Sequence, residues 1–382
     1  MSKNSSLKNF SFVTVGRSIG IVFQAILYLV FAALLEPETY GELNYIIALA
    51  GTFALFSRFG LNYSVTVFQA KKNSEISDKI NTLAIVTCSF GALILLTIDV
   101  MASLLSLGMS FYLMTQHNLL GLKKYKAFMK NSILRGITFL VIPLVLYFYF
   151  DIAGIVLGFA ISNLAASNYF FKIAKLKSFW KLKEHFSIII HNFGVDISTN
   201  FPRMIDKLII ANLFGFFIVG IFQFNMQILF VLEILPTVLY NFLLSEESSG
   251  NSQKKLSLLV IFAAIGFAIA GIIFSPIFVQ EFFPNYYDGI DSLQILIISI
   301  IPLTITAVLN AKIQAVESTK IGFSAIIRIG SLVGLIIFLG DLYGLVGLSL
   351  AVLFSIIINT IFIFVLYSKM DRNIPQGEST TQ

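Results

Sequence analysis

Nine ionisable side chains interrupt the long apolar runs of this 382-residue chain: Arg17, Arg58, Arg135, Asp196, Arg203, Asp206, Lys207, Glu233 and Arg328. A charge at membrane depth is costly unless it faces a cavity or a partner, so these residues are the first candidates for chemistry. Six of the nine are cationic. An arginine fork matches phosphate oxygens in shape and charge, and the chemistry indicated is the grip of a strongly hydrated anion such as a phosphate or pyrophosphate group.

Helical phasing groups these residues. In the seventh apolar run Asn192, Asp196, Asn200, Arg203, Asp206 and Lys207 recur at steps that confine them to about 120° of a helix wheel. In the second, Asn44, Gly51, Arg58, Asn62 and Gln69 fall within about 40°. The first aligns Thr14, Arg17, Gln24 and Tyr28. If the three faces converge, they line a cavity that is cationic through Arg17, Arg58, Arg203 and Lys207, with Gln24, Asn62 and Asn200 as neutral partners. Asp196 and Asp206 offset part of that charge and, with Glu233, are the candidate ion-coupling acids. Pro202 removes a hydrogen-bond donor from the seventh run and is expected to kink it.

Plainer roles compete for several of these positions. Arg203 and Asp206, three apart, can neutralise each other. Arg135 and Arg328, near the cytoplasmic ends of their runs, are expected to snorkel to headgroups. Glu233 lies off the Gln223/Gln227 face of its run and is expected to pair with a neighbouring helix. The aromatic run Tyr147-Phe148-Tyr149-Phe150 reads as an interfacial belt. No catalytic, metal or cofactor site is expected. There is no phosphate-binding Gly-rich loop followed by Lys-Ser/Thr, and His117, His185 and His191 lack metal-ligand spacing. Cys88, the single cysteine, sits in an apolar run as a small hydrophobe.

The elements that must position these side chains are membrane spans. Apolar residues make up 57% of the chain and charged residues 12%, which excludes a water-soluble domain. At about 20 residues per crossing, the runs are 10–35, 43–70, 80–99, 100–121, 127–150, 153–171, 186–212, 216–244, 256–279, 292–311, 320–340 and 344–367, twelve in all. The least distinct boundary is the turn at Asp99, where basic segments on both flanks demand an even number of crossings. The first run is too long for a cleavable signal core and reads as a span.

Of 26 Lys and Arg residues, 20 fall in every second connecting segment, including Lys71, Lys72, Lys79, Lys123, Lys124, Lys126, Lys130, Lys320 and Arg372. The alternate segments carry acids only, among them Glu36, Asp99, Asp151, Asp288 and Asp341. Basic loops are retained in the cytoplasm, so both termini are expected there. The net charge of +6 suits anionic lipid headgroups, and no nucleic-acid partner is expected. With little mass outside the bilayer, the chain is expected to work inside it.

The chain also resembles itself. Asp151-Ile-Ala-Gly154-Ile-Val matches Asp341-Leu-Tyr-Gly344-Leu-Val at an offset of 190, Arg135 matches Arg328 at 193, and Tyr40-Gly41 matches Val219-Gly220. These matches predict two six-span lobes in the same orientation, residues 1–185 and 186–382, with a site between them.

The stretches Gly16-Arg17-Ser18-Ile19-Gly20, Leu34-Leu35-Glu36-Pro37-Glu38-Thr39-Tyr40-Gly41 and Arg58-Phe59-Gly60-Leu61 resemble the opening of the polysaccharide-repeat flippases of the multidrug/oligosaccharidyl-lipid/polysaccharide (MOP) exporter superfamily. Phe201-Pro202-Arg203-Met204-Ile205-Asp206-Lys207, followed by Val219-Gly220-Ile221-Phe222, is similar to a second pattern of that family, with Phe222 where Tyr is usual. The resemblance implies a V-shaped, all-helical pair of six-helix lobes. It also implies an alternating-access transporter, not an enzyme, that moves a polyprenyl-diphosphate-linked oligosaccharide to the outer leaflet of the cell membrane. Cavity cations would hold the diphosphate, which fits Arg17, Arg58 and Arg203. Glycan polymerase or glycosyltransferase machinery would be the candidate partner. The chain is short for the family. The rival readings are a multidrug extruder of the same superfamily, expected to centre acids in its cavity, and an integral-membrane glycosyltransferase or polymerase.

Overall fold

The structure is a computed structural model that describes residues 3–175, 177–234, 236–240, 243, 254–315 and 322–371. Lys320, Arg372 and the last residues of the eighth expected run lie outside them. All regular elements among the described residues are helical. They pack as two compact units, Met1–Gly220 and Ile221–Gln382. The first unit thus extends beyond the expected lobe boundary at His185, because the helices after that point dock on the second and third.

In the first unit α1 spans Lys3–Leu34, α2 Pro37–Arg58, α3 Leu61–Ala70, α4 Ser74–Leu96, α5 Val100–Gly121 and α6 Tyr125–Ala166, with a short α7 at Asn168–Ile173. After a 3-10 turn at Trp180–His185 come α8, Phe186–Asn200, and α9, Pro202–Phe214. Local chemistry sets the boundaries. Pro37 opens α2, where its missing N–H costs nothing. Asn73 caps α4 by accepting from Ile76 N at 3.2 Å, and Asp99 caps α5 by accepting from Ala102 N at 2.6 Å. The Asp99 turn is therefore a helix start between two spans, as the even-crossing argument required.

Helix α10, Phe216–Leu232, leads into the second unit, followed by α11, Lys254–Phe282, and a 3-10 turn at Pro284–Gly289. Then come α12, Ile290–Ile298, α13, Ile300–Ala315, and α14, Gly322–Asp371.

Two of these helices are hairpins drawn as one. Within α6, Asp151 has φ 50° and ψ −136°, and within α14, Gly344 has φ 56° and ψ −132°. A Cβ on Gly158 would collide with the Cα of Pro143, and one on Gly347 with the carbonyl of Leu339. In a straight helix residues 15 apart lie about 22 Å apart, so the chain reverses at Asp151 and again at Gly344. Each hairpin supplies two crossings. With the broken pairs α2–α3, α8–α9 and α12–α13 each taken as one crossing, the described helices make twelve. Seven helices are individually long and apolar enough to span a bilayer, and α2–α3, bent by 48°, makes an eighth candidate. Helices α5 and α8–α9 are more polar, and those polar faces build the site.

The hairpins also correct the repeat register. Gly154 meets the carbonyl of Leu146 as Gly347 meets that of Leu339, an offset of 193 at both residues and the offset that relates Arg135 to Arg328. The six-residue match at 190 aligned the letters three positions out of step, since the residue that must reverse the chain is Asp151 in one hairpin and Gly344 in the other. The Tyr40-Gly41 and Val219-Gly220 match has a different meaning. These glycines pack against each other, so that a Cβ on Gly41 would strike the carbonyl of Phe216 and one on Gly220 that of Pro37.

Candidate functional site

The site begins at the break between α2 and α3. Phe59 and Gly60 both adopt the left-handed region, at φ 48° and 73°. Gly60 tolerates this as no branched residue would, and it allows backbone contact with Phe193 on α8, where a Cβ would collide. Helix α8 is held there by Asn192 Nδ2 donating to Ser64 Oγ at 2.9 Å and by Phe193 against Phe59, with ring centroids 4.4 Å apart. Ser64 Oγ in turn donates to the carbonyl of Gly60 at 2.9 Å.

This docking brings Arg58, the last residue of α2, to Asp196 on α8. Arg58 Nη2 lies 3.5 Å from Asp196 Oδ2, and the side chains are 3% and 1% exposed. Asn200 Nδ2 donates to Asp196 Oδ1 at 2.7 Å. Tyr63, one turn beyond the break, packs against His117 on α5, with ring centroids 4.7 Å apart. The polar faces of α2–α3 and α8 therefore meet within the first unit, at the Arg58–Asp196 pair.

The other candidates divide into buried and exposed groups. Lys207 Nζ lies 3.2 Å from Asp206 Oδ1 and donates to the carbonyl of Arg203 at 2.7 Å. Asp206 thus has Lys207 as a partner. Asn62 is buried against His117, 3.5 Å from its Nε2, and Gln24 is half-buried on α1. Arg17 and Arg203 are exposed on the protein surface. Helix α9, which starts at Pro202 after the interruption at Phe201, lies along α2, where a Cβ on Gly51 would collide with the Met204 side chain. Glu233 is half-buried at the end of α10 in the second unit.

Sequence phasing missed a polar hub at the inner end of α5. Gln116 donates to Asn131 Oδ1 at 2.6 Å, and His117 Nδ1 lies 2.9 Å from Thr66 Oγ1. Asn118 and Asn81 exchange two bonds at 2.9 and 3.2 Å. Three consecutive residues thus bind three different helices, α6, α3 and α4. The signal was present as the triplet Gln116-His117-Asn118 inside an apolar run. Such a triplet covers most of the wheel, so it produces no single polar face.

Arg135 is also placed differently from expectation. It does not snorkel: its Nε donates to Asn163 Oδ1 at 2.9 Å, and its guanidinium lies 4.6 Å from the Tyr112 ring and 4.3 Å from the Phe139 ring. Aromatic faces and an amide inside the unit hold it in place of lipid headgroups. The aromatic run before Asp151 is exposed as expected, with Phe148 at 77%. Among the described residues, no three His, Cys, Asp or Glu side chains group as metal ligands.

Residues 6–119 match the family model described as "Polysaccharide biosynthesis protein". The structure is similar to that of the lipid II flippase MurJ in an inward closed conformation, at 17% identity and TM-score 0.73 over 92% of this chain and 87% of that one. It is similar to an inward-facing multidrug resistance MATE family transporter of the MOP superfamily, at 14% identity and TM-score 0.67 over 95% and 99%. A third similar structure is a MOP superfamily transporter from Pyrococcus furiosus described as having a binding pocket of reverse polarity, at 14% identity and TM-score 0.56 over 97% of each chain. A sequence search of curated proteins finds no match.

Proposed function

From the premise that this chain has the twelve-helix fold of the MOP superfamily transporters, we propose that it flips a polyprenyl-diphosphate-linked oligosaccharide from the inner to the outer leaflet by alternating access. The observation that carries this reading is the charge balance of the first unit at membrane depth. Five cations, Arg17, Arg58, Arg135, Arg203 and Lys207, stand against two carboxylates, Asp196 and Asp206. Both carboxylates already face a cation, Arg58 and Lys207 respectively. The unit is left with positive charge that a diphosphate headgroup neutralises.

Arg17, exposed on α1, makes the first contact with the diphosphate. Arg58 is latched to Asp196 and becomes a second ligand when the anion competes for its guanidinium, a bidentate partner at least as good as a carboxylate. Releasing Asp196 then gives an acid that can take up a proton or sodium ion, coupling the two events. An extruder of cationic drugs needs an uncompensated acid at its site, and in this unit both acids are compensated. The basic segments support both termini on the cytoplasmic side of the cell membrane, an orientation that lets the cargo enter from the leaflet where it is assembled.

The test is translocation of a fluorescent polyprenyl-diphosphate sugar by the purified protein in liposomes. Wild type is expected to flip it, and Arg17→Glu and Arg203→Glu to abolish flipping while inserting normally. Full activity in both variants refutes the cationic site. Absence of flipping together with efflux of a cationic dye assigns the chain to the drug extruders.

A further inference from the structure

The cluster around Tyr63 does not use Arg135. This residue lies on the α6 face that buries Ser132 and Phe139, while Leu134 and Ile137 point outward. The amide that binds it is fixed in turn, for Asn163 is fully buried and its Nδ2 donates to the carbonyl of Phe159 at 2.8 Å. On α1, Tyr28 is buried and packs against Phe159, with ring centroids 6.5 Å apart. Among the described residues no carboxylate pairs with Arg135, unlike Arg58 and Lys207. Two rings and one neutral amide therefore orient the fork without neutralising it, and one of its five N–H donors is engaged by the protein. An oriented cation at membrane depth with its charge uncompensated is the arrangement expected where an anion visits.

Its level is set by packing. Gly16 of α1 faces Met129 of α6, and Phe23 of α1 faces Gly136, so the two helices run side by side and Arg135 sits level with the residue before Phe23. Arg17 lies five residues earlier on α1, about 8 Å back along the helix. The repeat partner of Arg135 is Arg328, but the positions of Asn163 and Phe139 are occupied by Ile356 and Leu332 at the same offset of 193. The orienting set is complete in the first half alone.

We propose that Arg135, oriented by Asn163, Tyr112 and Phe139, is a second anion station, which receives a phosphate group after it leaves Arg17. This deepens the function proposed above where the phosphate belongs to the lipid cargo. A free phosphate-type anion is the same chemistry from another source.

The experiment compares Arg135→Gln and Arg135→Lys by two readouts. One is flipping of the fluorescent polyprenyl-diphosphate sugar in liposomes. The other is the rise in melting temperature produced by inorganic pyrophosphate, measured in an Arg17→Gln background to remove the first station. Arg135→Gln is expected to slow flipping at least about tenfold, the equivalent of one charged hydrogen bond, and to diminish the pyrophosphate shift to what Arg58 alone supports. Arg135→Lys should recover much of both. A pyrophosphate shift that diminishes in Arg135→Gln while flipping is unchanged, or while wild type itself fails to flip, keeps the station and names a free anion as its ligand; the second case also rejects the flippase. An undiminished pyrophosphate shift in Arg135→Gln overturns the proposal, whatever happens to flipping, because Arg135 would then act only through packing.

Discussion

The buried pair between Arg58 and Asp196 allows a quantitative test. Their charged atoms are 3.5 Å apart and both side chains are almost fully enclosed. At an effective dielectric of about 20, two unit charges at that distance attract by about 5 kcal/mol, most of it offset by the desolvation of both groups. Removing one partner forfeits the attraction and leaves the other charge buried alone, at a cost of about 3–5 kcal/mol. Hydrogen bonds between membrane helices average about 0.6 kcal/mol in double-mutant cycles, so the two cases are well separated. Asp196→Leu and Arg58→Met are each expected to destabilise by about 3–5 kcal/mol, and the double variant to recover most of the loss. The assay is reversible unfolding in mixed micelles across the four-member cycle. If each single variant loses under about 1 kcal/mol, or the double is as unstable as the sum, the reasoning fails, because the charges are then solvated and Arg58 is not latched.

Further outcomes follow from the backbone. Gly41→Ala and Gly220→Ala each push a methyl into a facing carbonyl and are expected to lose about 1–3 kcal/mol, read as a lower unfolding midpoint; a midpoint unchanged in both means the helices do not cross there. Gly60→Val combines a positive φ with a clash against Phe193 and should undock α8. Its signature is a large rise in labelling of a cysteine placed at Asn192, in a Cys88→Ala chain so that the native thiol is absent. In the same background, an impermeant maleimide added outside intact cells should label a cysteine at Asp288 and not one at Lys123. The reverse pattern overturns the assigned orientation.

Much of this architecture was legible because a bilayer makes one-dimensional demands. A crossing needs a fixed length of apolar helix, basic loops stay inside, and a charge within a span stands out against its neighbours. The crossings, the lone membrane-depth charges and the polar faces of α1, α2–α3 and α8 could therefore be read from spacing alone. Partnership could not. Arg58 and Asp196 are far apart in sequence and meet because Gly60 permits a left-handed turn that seats α8. Lys207 lies against Asp206 through side-chain geometry that a helix wheel does not resolve. Arg135 looked like a snorkelling residue until Tyr112, Phe139 and Asn163 were placed around it. The repeat register is of the same kind, for identical letters three positions out of step cannot reveal which residue carries the positive φ. The sequence by itself determined which residues are expensive to bury and at what depth they lie. Only the tertiary structure decided which partners they meet, because desolvation and pairing depend on neighbours contributed by distant parts of the chain.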